Sequence, residues 1–240
     1  MNNIKIITLT LISGLATTIG NLLIIIPPKY KKAILTYSLS ISLTTIFLIS
    51  ILDLIPNALI LYKNANKTLL LIVSLTLITI GYIIVKIIDN KTNKNNELYQ
   101  IGILSTITII LHNIPEGIIC AISSIINSTI GLKMIILIMI HNIPEGICIS
   151  LPIYYGTNNK FKAITYTIIS GLGEVIGAII TLVFLKPYIT KQLLYVILLI
   201  TAGIMIYLSY KLYKQVIKYN NKLLLLLGII SGVVVIFLTI

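Results

Sequence analysis

The sequence predicts an all-α integral membrane protein of eight transmembrane helices. Three observations carry this. The 240 residues are 58% hydrophobic and only 10% charged, against about 25% charged in an average soluble domain, and the mean hydropathy is +1.07. The apolar residues fall into eight runs, at 4–26, 34–61, 68–88, 98–126, 132–155, 163–185, 192–210 and 223–240, each near the roughly 20 residues of a span. The runs are continuous rather than alternating. They are about twice the length of a barrel strand, which leaves helices as the way to bond the backbone in lipid. The whole chain, 1–240, reads as one membrane domain.

The first run follows a single early lysine, Lys5. It has spanning length and no short apolar region ending in a small-residue cleavage site, so it reads as a retained helix. The connections carry turn residues: Pro27-Pro28-Lys29, Lys63-Asn64-Ala65-Asn66, Asn127-Ser128, Gly156-Thr157-Asn158-Asn159, Lys186-Pro187 and Asn220-Asn221-Lys222. The longest polar stretch, Asp89–Glu97, is too short for a domain and is expected to be a cytoplasmic loop. Twelve of the eighteen lysines fall on the face that receives Lys29, Lys91, Lys160 and Lys218, and six on the other. The lysine-rich face is expected in the cytoplasm, with both termini outside the cell membrane. The net charge of +12 is spread over short connections, with no long basic helix or stacking platform, which excludes nucleic acid as a partner. Cys120 and Cys148 lie in apolar runs and imply no secreted disulfide framework.

The chain has six acids. Asp89 and Glu97 belong to the expected loop, while Asp53, Glu116, Glu145 and Glu174 fall inside spans. A carboxylate at mid-membrane costs roughly 2.5–3.5 kcal/mol on insertion scales. The chain has no arginine, and no lysine falls in the middle of the spans bearing Glu116 and Glu145. A bound cation is the simplest compensation.

Two of these acids belong to a string that occurs twice. His112-Asn113-Ile114-Pro115-Glu116-Gly117 lies in the fourth run and His141-Asn142-Ile143-Pro144-Glu145-Gly146 in the fifth. They hold the only two histidines. On a helix, positions i and i+4 share a face, so each histidine points with its glutamate. Asn113 and Asn142 stand on the flank. Imidazole nitrogen with carboxylate oxygen suits zinc, and also iron or manganese. Consecutive spans run antiparallel, so the two copies are related by a twofold axis in the membrane plane. That sets His112 near Glu145 and Glu116 near His141. A bridging carboxylate and the asparagine oxygens leave room for a second ion. Pro115 and Pro144 each remove a helix hydrogen bond and are expected to bend their helices. Gly117 and Gly146 permit close helix approach. Cys120 and Cys148 continue the ligand-bearing faces; they read first as buried cysteines and second as soft ligands along a path.

These strings resemble the fourth- and fifth-span signatures of the ZIP family of divalent-metal transporters, in its bacterial zinc-uptake branch. Ser170-Gly171-Leu172-Gly173-Glu174 resembles the sixth-span motif, and Leu52-Asp53-Leu54-Ile55-Pro56 the acid-bearing second-span segment. Ser13-Gly14-Leu15-Ala16-Thr17 and Ala202-Gly203-Ile204-Met205 resemble less specific stretches of spans one and seven. The resemblance covers nearly the whole chain. It implies a 3+2+3 arrangement with spans 1–3 and 6–8 as inverted repeats, Glu174 at a second metal site, and a homodimer. Two segments depart from the pattern. An acidic pair usual before Leu212 is replaced by Tyr210-Lys211, which removes acidity near the cytoplasmic end. The loop after span three has no histidine, so metal sensing there is not expected.

The function expected is import of divalent cations, with Zn²⁺ first and Fe²⁺, Mn²⁺ and Cd²⁺ as alternatives. The metal is the transported substrate and not a resident cofactor. Asp53 would guide entry, and a rocking or elevator-like movement would release the ion inward. The alternative is an intramembrane metal-dependent hydrolase or oxidase using the same cluster. That reading needs an open coordination position and a general base, and the sequence has no His-Glu-x-x-His string and only two histidines.

Overall fold

The computed structural model of the chain describes residues 1–92, 96–185 and 190–239. Among them are eight helices and no strand. In chain order they are α1 (Asn3–Ile25), α2 (Lys31–Ile60), α3 (Lys67–Lys91), α4 (Glu97–Ile126), α5 (Ser128–Thr157), α6 (Lys160–Phe184), α7 (Lys191–Ile217) and α8 (Lys222–Phe237). Seven are long and apolar enough to cross a membrane; α8 has 16 residues and is the short one. The architecture is that of an all-α membrane protein. The turn read at Lys186-Pro187, and Lys94 in the lysine census, lie outside the described residues.

The asparagine-rich connections work as helix starts. The side chains of Asn2, Asn66, Asn96, Asn127, Asn159 and Asn221 each accept a hydrogen bond from a backbone N–H in the first turn of the following helix. Thr190 does the same for α7. These bonds satisfy donors that a helix cannot satisfy itself. Helix α5 ends on Asn158, which takes the left-handed conformation at φ 52° that asparagine tolerates.

Two helices change pitch near the middle of the molecule. The second half of α1, Ala16–Ile25, winds as a 3₁₀ helix. The side chains of Thr17, Thr18 and Asn21 all donate to the carbonyl three residues back, at 2.6–3.0 Å, and this i−3 spacing matches the tighter winding. In α2, Ser50–Leu54 forms a π turn with Asp53 in it, just before Pro56. Proline has no N–H to donate, and a wider turn is one way a helix absorbs that loss.

The helices pack as two groups. Helices α1, α4, α5 and α6 pack most extensively on one another, and α2, α3, α7 and α8 do the same. The tightest approaches lie inside the groups. Gly14 of α1 rests on the backbone of Gly171 of α6, and Gly203 of α7 on that of Ile78 of α3. Small residues replace the hydrophobic drive that lipid cannot supply between helices. Between the groups the packing is less extensive, and it joins an apolar cluster, with Ile101 and Ile149 on one side and Leu39 and Met205 on the other, to a few polar ties. Ser42 Oγ of α2 donates to the Pro144 carbonyl of α5 at 2.5 Å. Lys218 of α7 pairs with Glu97 of α4.

Asp89 is not in a loop. Helix α3 continues through it to Lys91, and the carboxylate is buried. It accepts hydrogen bonds from Tyr207 at 2.7 Å, from Lys211 at 2.6 Å and from Gln100 at 2.9 Å. A carboxylate so fully supplied with donors can be enclosed without ending the helix. Lys211, a departure from the family pattern, is thus the counter-charge of Asp89.

Replacing Gly171 with alanine drives a methyl group into the Gly14 carbonyl and the Thr17 hydroxyl. The expected cost is about 1–3 kcal/mol, read as a lowered melting temperature of the detergent-solubilised protein.

Candidate metal centre

Helices α4 and α5 are adjacent, antiparallel and continuous through Pro115 and Pro144. Their two identical strings therefore meet at the same depth. Glu116 Oε1 lies 2.8 Å from His141 Nε2 and 3.1 Å from His112 Nε2, and His112 Nε2 lies 3.3 Å from Glu145 Oε1. One ligand atom each from His112, Glu116 and His141 lie within 4.8 Å of one another. All four side chains are buried.

The hydrogen bonding of this cluster is incomplete. Both oxygens of Glu145, Glu116 Oε2, Glu174 Oε2, Asn113 Oδ1, Asn142 Oδ1 and His112 Nδ1 are enclosed with no partner in the protein. Leaving one such group unpaired costs about 1–3 kcal/mol. Six unpaired oxygens gathered beside two imidazoles form a donor set for a divalent cation. Lysines do not supply the missing charge: both carboxylate–lysine pairs among the described residues, Lys211 with Asp89 and Lys218 with Glu97, lie at the end of the bundle opposite the termini.

The amide nitrogens hold the asparagine side chains in place. Asn113 Nδ2 donates to the Ser170 carbonyl and Asn142 Nδ2 to the Ser13 carbonyl, each at 3.0 Å. Asn142 also donates to Glu174 of α6. These contacts turn both Oδ1 atoms free. They also bring Glu174 beside the doubled string. Gly117 meets the backbone of Glu174, and Gly146 meets that of Thr17. A twofold axis between α4 and α5 thus relates Asn113 with Ser170 to Asn142 with Ser13. It also pairs Glu174 with Thr17, and there the symmetry breaks: one half carries a carboxylate and the other a hydroxyl. The Thr17 hydroxyl donates to the carbonyls of Gly14 and Thr167 at 2.7 and 3.0 Å.

Asp53 stands apart from the cluster, on the wall of a cavity that reaches it. It accepts a hydrogen bond from Asn57 at 2.7 Å. It lines a cavity of about 220 Å³ whose wall also includes Glu116, His141, Met134, Leu137 and Thr239. This cavity opens toward the end that carries the termini. The cysteines are free thiols and are buried. Cys120 packs with Ile135 and Ile138. Cys148 donates to the Glu145 carbonyl at 3.1 Å. The carbonyls of Ser13 and Ser170, which orient the asparagines, carry no signal in a sequence beyond the repeated Ser-Gly pair.

Comparison with known proteins gives a consistent picture. The sequence model of a family described as ZIP Zinc transporter matches residues 86–239. A protein of Streptococcus mutans named zinc transporter ZupT is 35% identical over 245 residues, covering 95% of this chain and 93% of its own length. A protein of the same name from Oceanobacillus iheyensis is 32% identical, covering 93% of this chain and 92% of its own length. One from Clostridium perfringens is 31% identical, at 98% and 95%.

The donor set predicts saturable binding of Zn²⁺ to the purified protein in detergent. Glu145→Gln should weaken it by about tenfold or more, since losing even a group that only hydrogen-bonds to a ligand costs about 10–100-fold in metal affinity. Acidification should weaken binding in the wild type, because the proton competes for the same nitrogen and oxygen lone pairs. Isothermal titration calorimetry at two pH values checks both.

Proposed function

The chain belongs to the ZIP zinc transporter family, and on that premise we propose that it imports divalent metal ions, Zn²⁺ first among them, into the cytoplasm. The observation that carries this reading is the convergence of His112, Glu116, His141, Glu145 and Glu174 in the interior of a bundle of apolar helices, with unpaired oxygens and no lysine beside them. A hydrolase would hold its metal. A carrier must let it go, and nitrogen and oxygen ligands shared with protons permit exchange.

In this reading the ion enters from the outer end, where both termini lie, through the cavity that Asp53 lines. Asp53 attracts the cation and the Glu116–His141 edge receives it. The ion then rests among the four ligands of the doubled string, with Asn113, Asn142 and Glu174 offering oxygens for a second ion. Release inward follows a movement of α1, α4, α5 and α6, which carry every ligand, against α2, α3, α7 and α8. The less extensive packing between the groups, with few polar ties, is consistent with such a movement. The lysine-rich end faces the cytoplasm, and the protein is a multi-pass component of the cell membrane.

Radiolabelled Zn²⁺ flux into proteoliposomes tests this. The wild type is expected to move the ion down its gradient, with unlabelled Fe²⁺, Mn²⁺ and Cd²⁺ competing in proportion to their affinity. His112→Ala and Glu145→Ala are each expected to abolish flux. Wild-type rates in both variants would overturn the assignment, and metal-dependent hydrolysis without flux would restore the enzyme reading.

A further inference from the structure

The outer cavity reaches the metal centre, but the other end of the bundle is closed between the centre and the solvent. On α4, the residues that continue the His112 face away from the termini are Thr108, Ser105 and Ile101, at helical spacings of four, three and four. They span about 16 Å of helix. All three are buried. Ile101 forms part of the wall of a groove of about 360 Å³ lined also by Glu97, Lys211, Lys214, Gln215 and Lys218. The face thus runs from the metal centre to a solvent groove with only Thr108 and Ser105 between.

The two hydroxyls are unusual in this chain. Most helical serines and threonines here donate to the carbonyl three or four residues back; Thr106, on the same helix, donates to Gly102 at 2.8 Å. The hydroxyls of Ser105 and Thr108 are enclosed and have no partner. Three other hydroxyls among the described residues share this condition, those of Thr45, Ser124 and Tyr155, and none lies on that face of α4. The Cys148 sulfur lies beside Ser105 and is the one weak acceptor its hydroxyl can reach. The surrounding cluster, with Met205, Leu208 and Leu212 of α7, is apolar. An enclosed hydroxyl without an oxygen or nitrogen partner in apolar surroundings is costly; the local packing gives Ser105 only the weak Cys148 sulfur and gives Thr108 nothing.

The twofold relation supplies an independent argument. The axis that carries His112 onto His141 carries Thr108 onto Leu137 and Ser105 onto Met134, by the same spacings. Leu137 and Met134 line the open outer cavity. The symmetry-related position on the closed side is therefore the Thr108–Ser105 face. A movement that exchanges the environments of the two halves opens a cavity along it.

We propose that Thr108 and Ser105 form the inward release track, a pair of transient oxygen ligands that replace part of the hydration shell of a divalent cation as it leaves the His/Glu centre. The inference rests on the transport reading above. The outer route offers apolar side chains at the equivalent positions, so the two ends of the path differ in chemistry: hydroxyl oxygens serve the exit and Asp53 the entrance. The apolar contact of Met205, Leu208 and Leu212 with the α4–α5 side is the seal that parts when the track opens.

The test compares Zn²⁺ binding with Zn²⁺ flux in the double variant Ser105→Ala/Thr108→Val, which removes both hydroxyls at nearly constant volume. Equilibrium affinity of the purified variant should stay within about twofold of the wild type, while proteoliposome flux falls about tenfold, the signature of a step after binding. The hydroxyl-retaining swap Ser105→Thr/Thr108→Ser should restore flux. Wild-type flux in the double variant overturns the release track and leaves the transport reading standing. Loss of binding together with flux marks a structural role and also overturns it. Absence of flux in the wild type overturns the transport reading itself, and the track with it.

Discussion

The rest of the structure depends on the need to hold carboxylates inside an apolar bundle without neutralising them. The chain encloses two kinds of acid and treats them differently. Asp89 receives an ammonium, a phenol and an amide. Glu145 receives no hydrogen bond on either oxygen. Both solutions occur in one chain that has eighteen lysines available, so the missing partners at the centre are not a shortage of cations. A lysine there would satisfy the carboxylates permanently. Its absence leaves them to an ion that can depart.

Maintaining such a centre requires a rigid frame, because unpaired groups would otherwise relax toward each other. The frame comes from glycine. Gly117 and Gly146 let the backbones of Glu174 and Thr17 come against the doubled string, and Gly14 meets Gly171 behind it. Side-chain amides then fix the asparagines to main-chain carbonyls, and Asn142 also to the Glu174 carboxyl. Main-chain anchors on adjoining helices cannot swing away, so the oxygens of Asn113 and Asn142 stay enclosed and unpaired. The close contacts bind α1, α4, α5 and α6 into one body, which carries the His112–Glu145 cluster whole.

Much of this could be read from the residues. Eight apolar runs gave eight helices, and the doubled string, with antiparallel neighbours, implied the cross-pairing of each histidine with the other copy's glutamate that the coordinates contain. Asparagine in the connections was legible as a turn signal, but not as the cap it is. Other features were not legible at all. Asp89 looked like a loop residue because its three donors come from helices α4 and α7, far along the chain. The 3₁₀ winding of α1 depends on threonine and asparagine side chains choosing the i−3 carbonyl, a choice composition does not reveal. The π turn at Asp53 follows from its proline but also from what surrounds it. Long-range geometry, not local propensity, decided each of these.

The near-identity of the two halves of the centre has a thermodynamic meaning. An ion held by one His-Asn-Ile-Pro-Glu-Gly copy from each side meets almost the same ligands whichever way it arrived. Such a site has no intrinsic sense of up or down, and binding there cannot impose a direction. Vectorial flow must come from concentrations on the two sides and from whatever breaks the twofold. Within the centre, the broken element is the exchange of Thr17 for Glu174, a single added carboxyl off the axis. That carboxyl stands on one side only, so the enclosed groups around the centre are lopsided even where the doubled string is balanced.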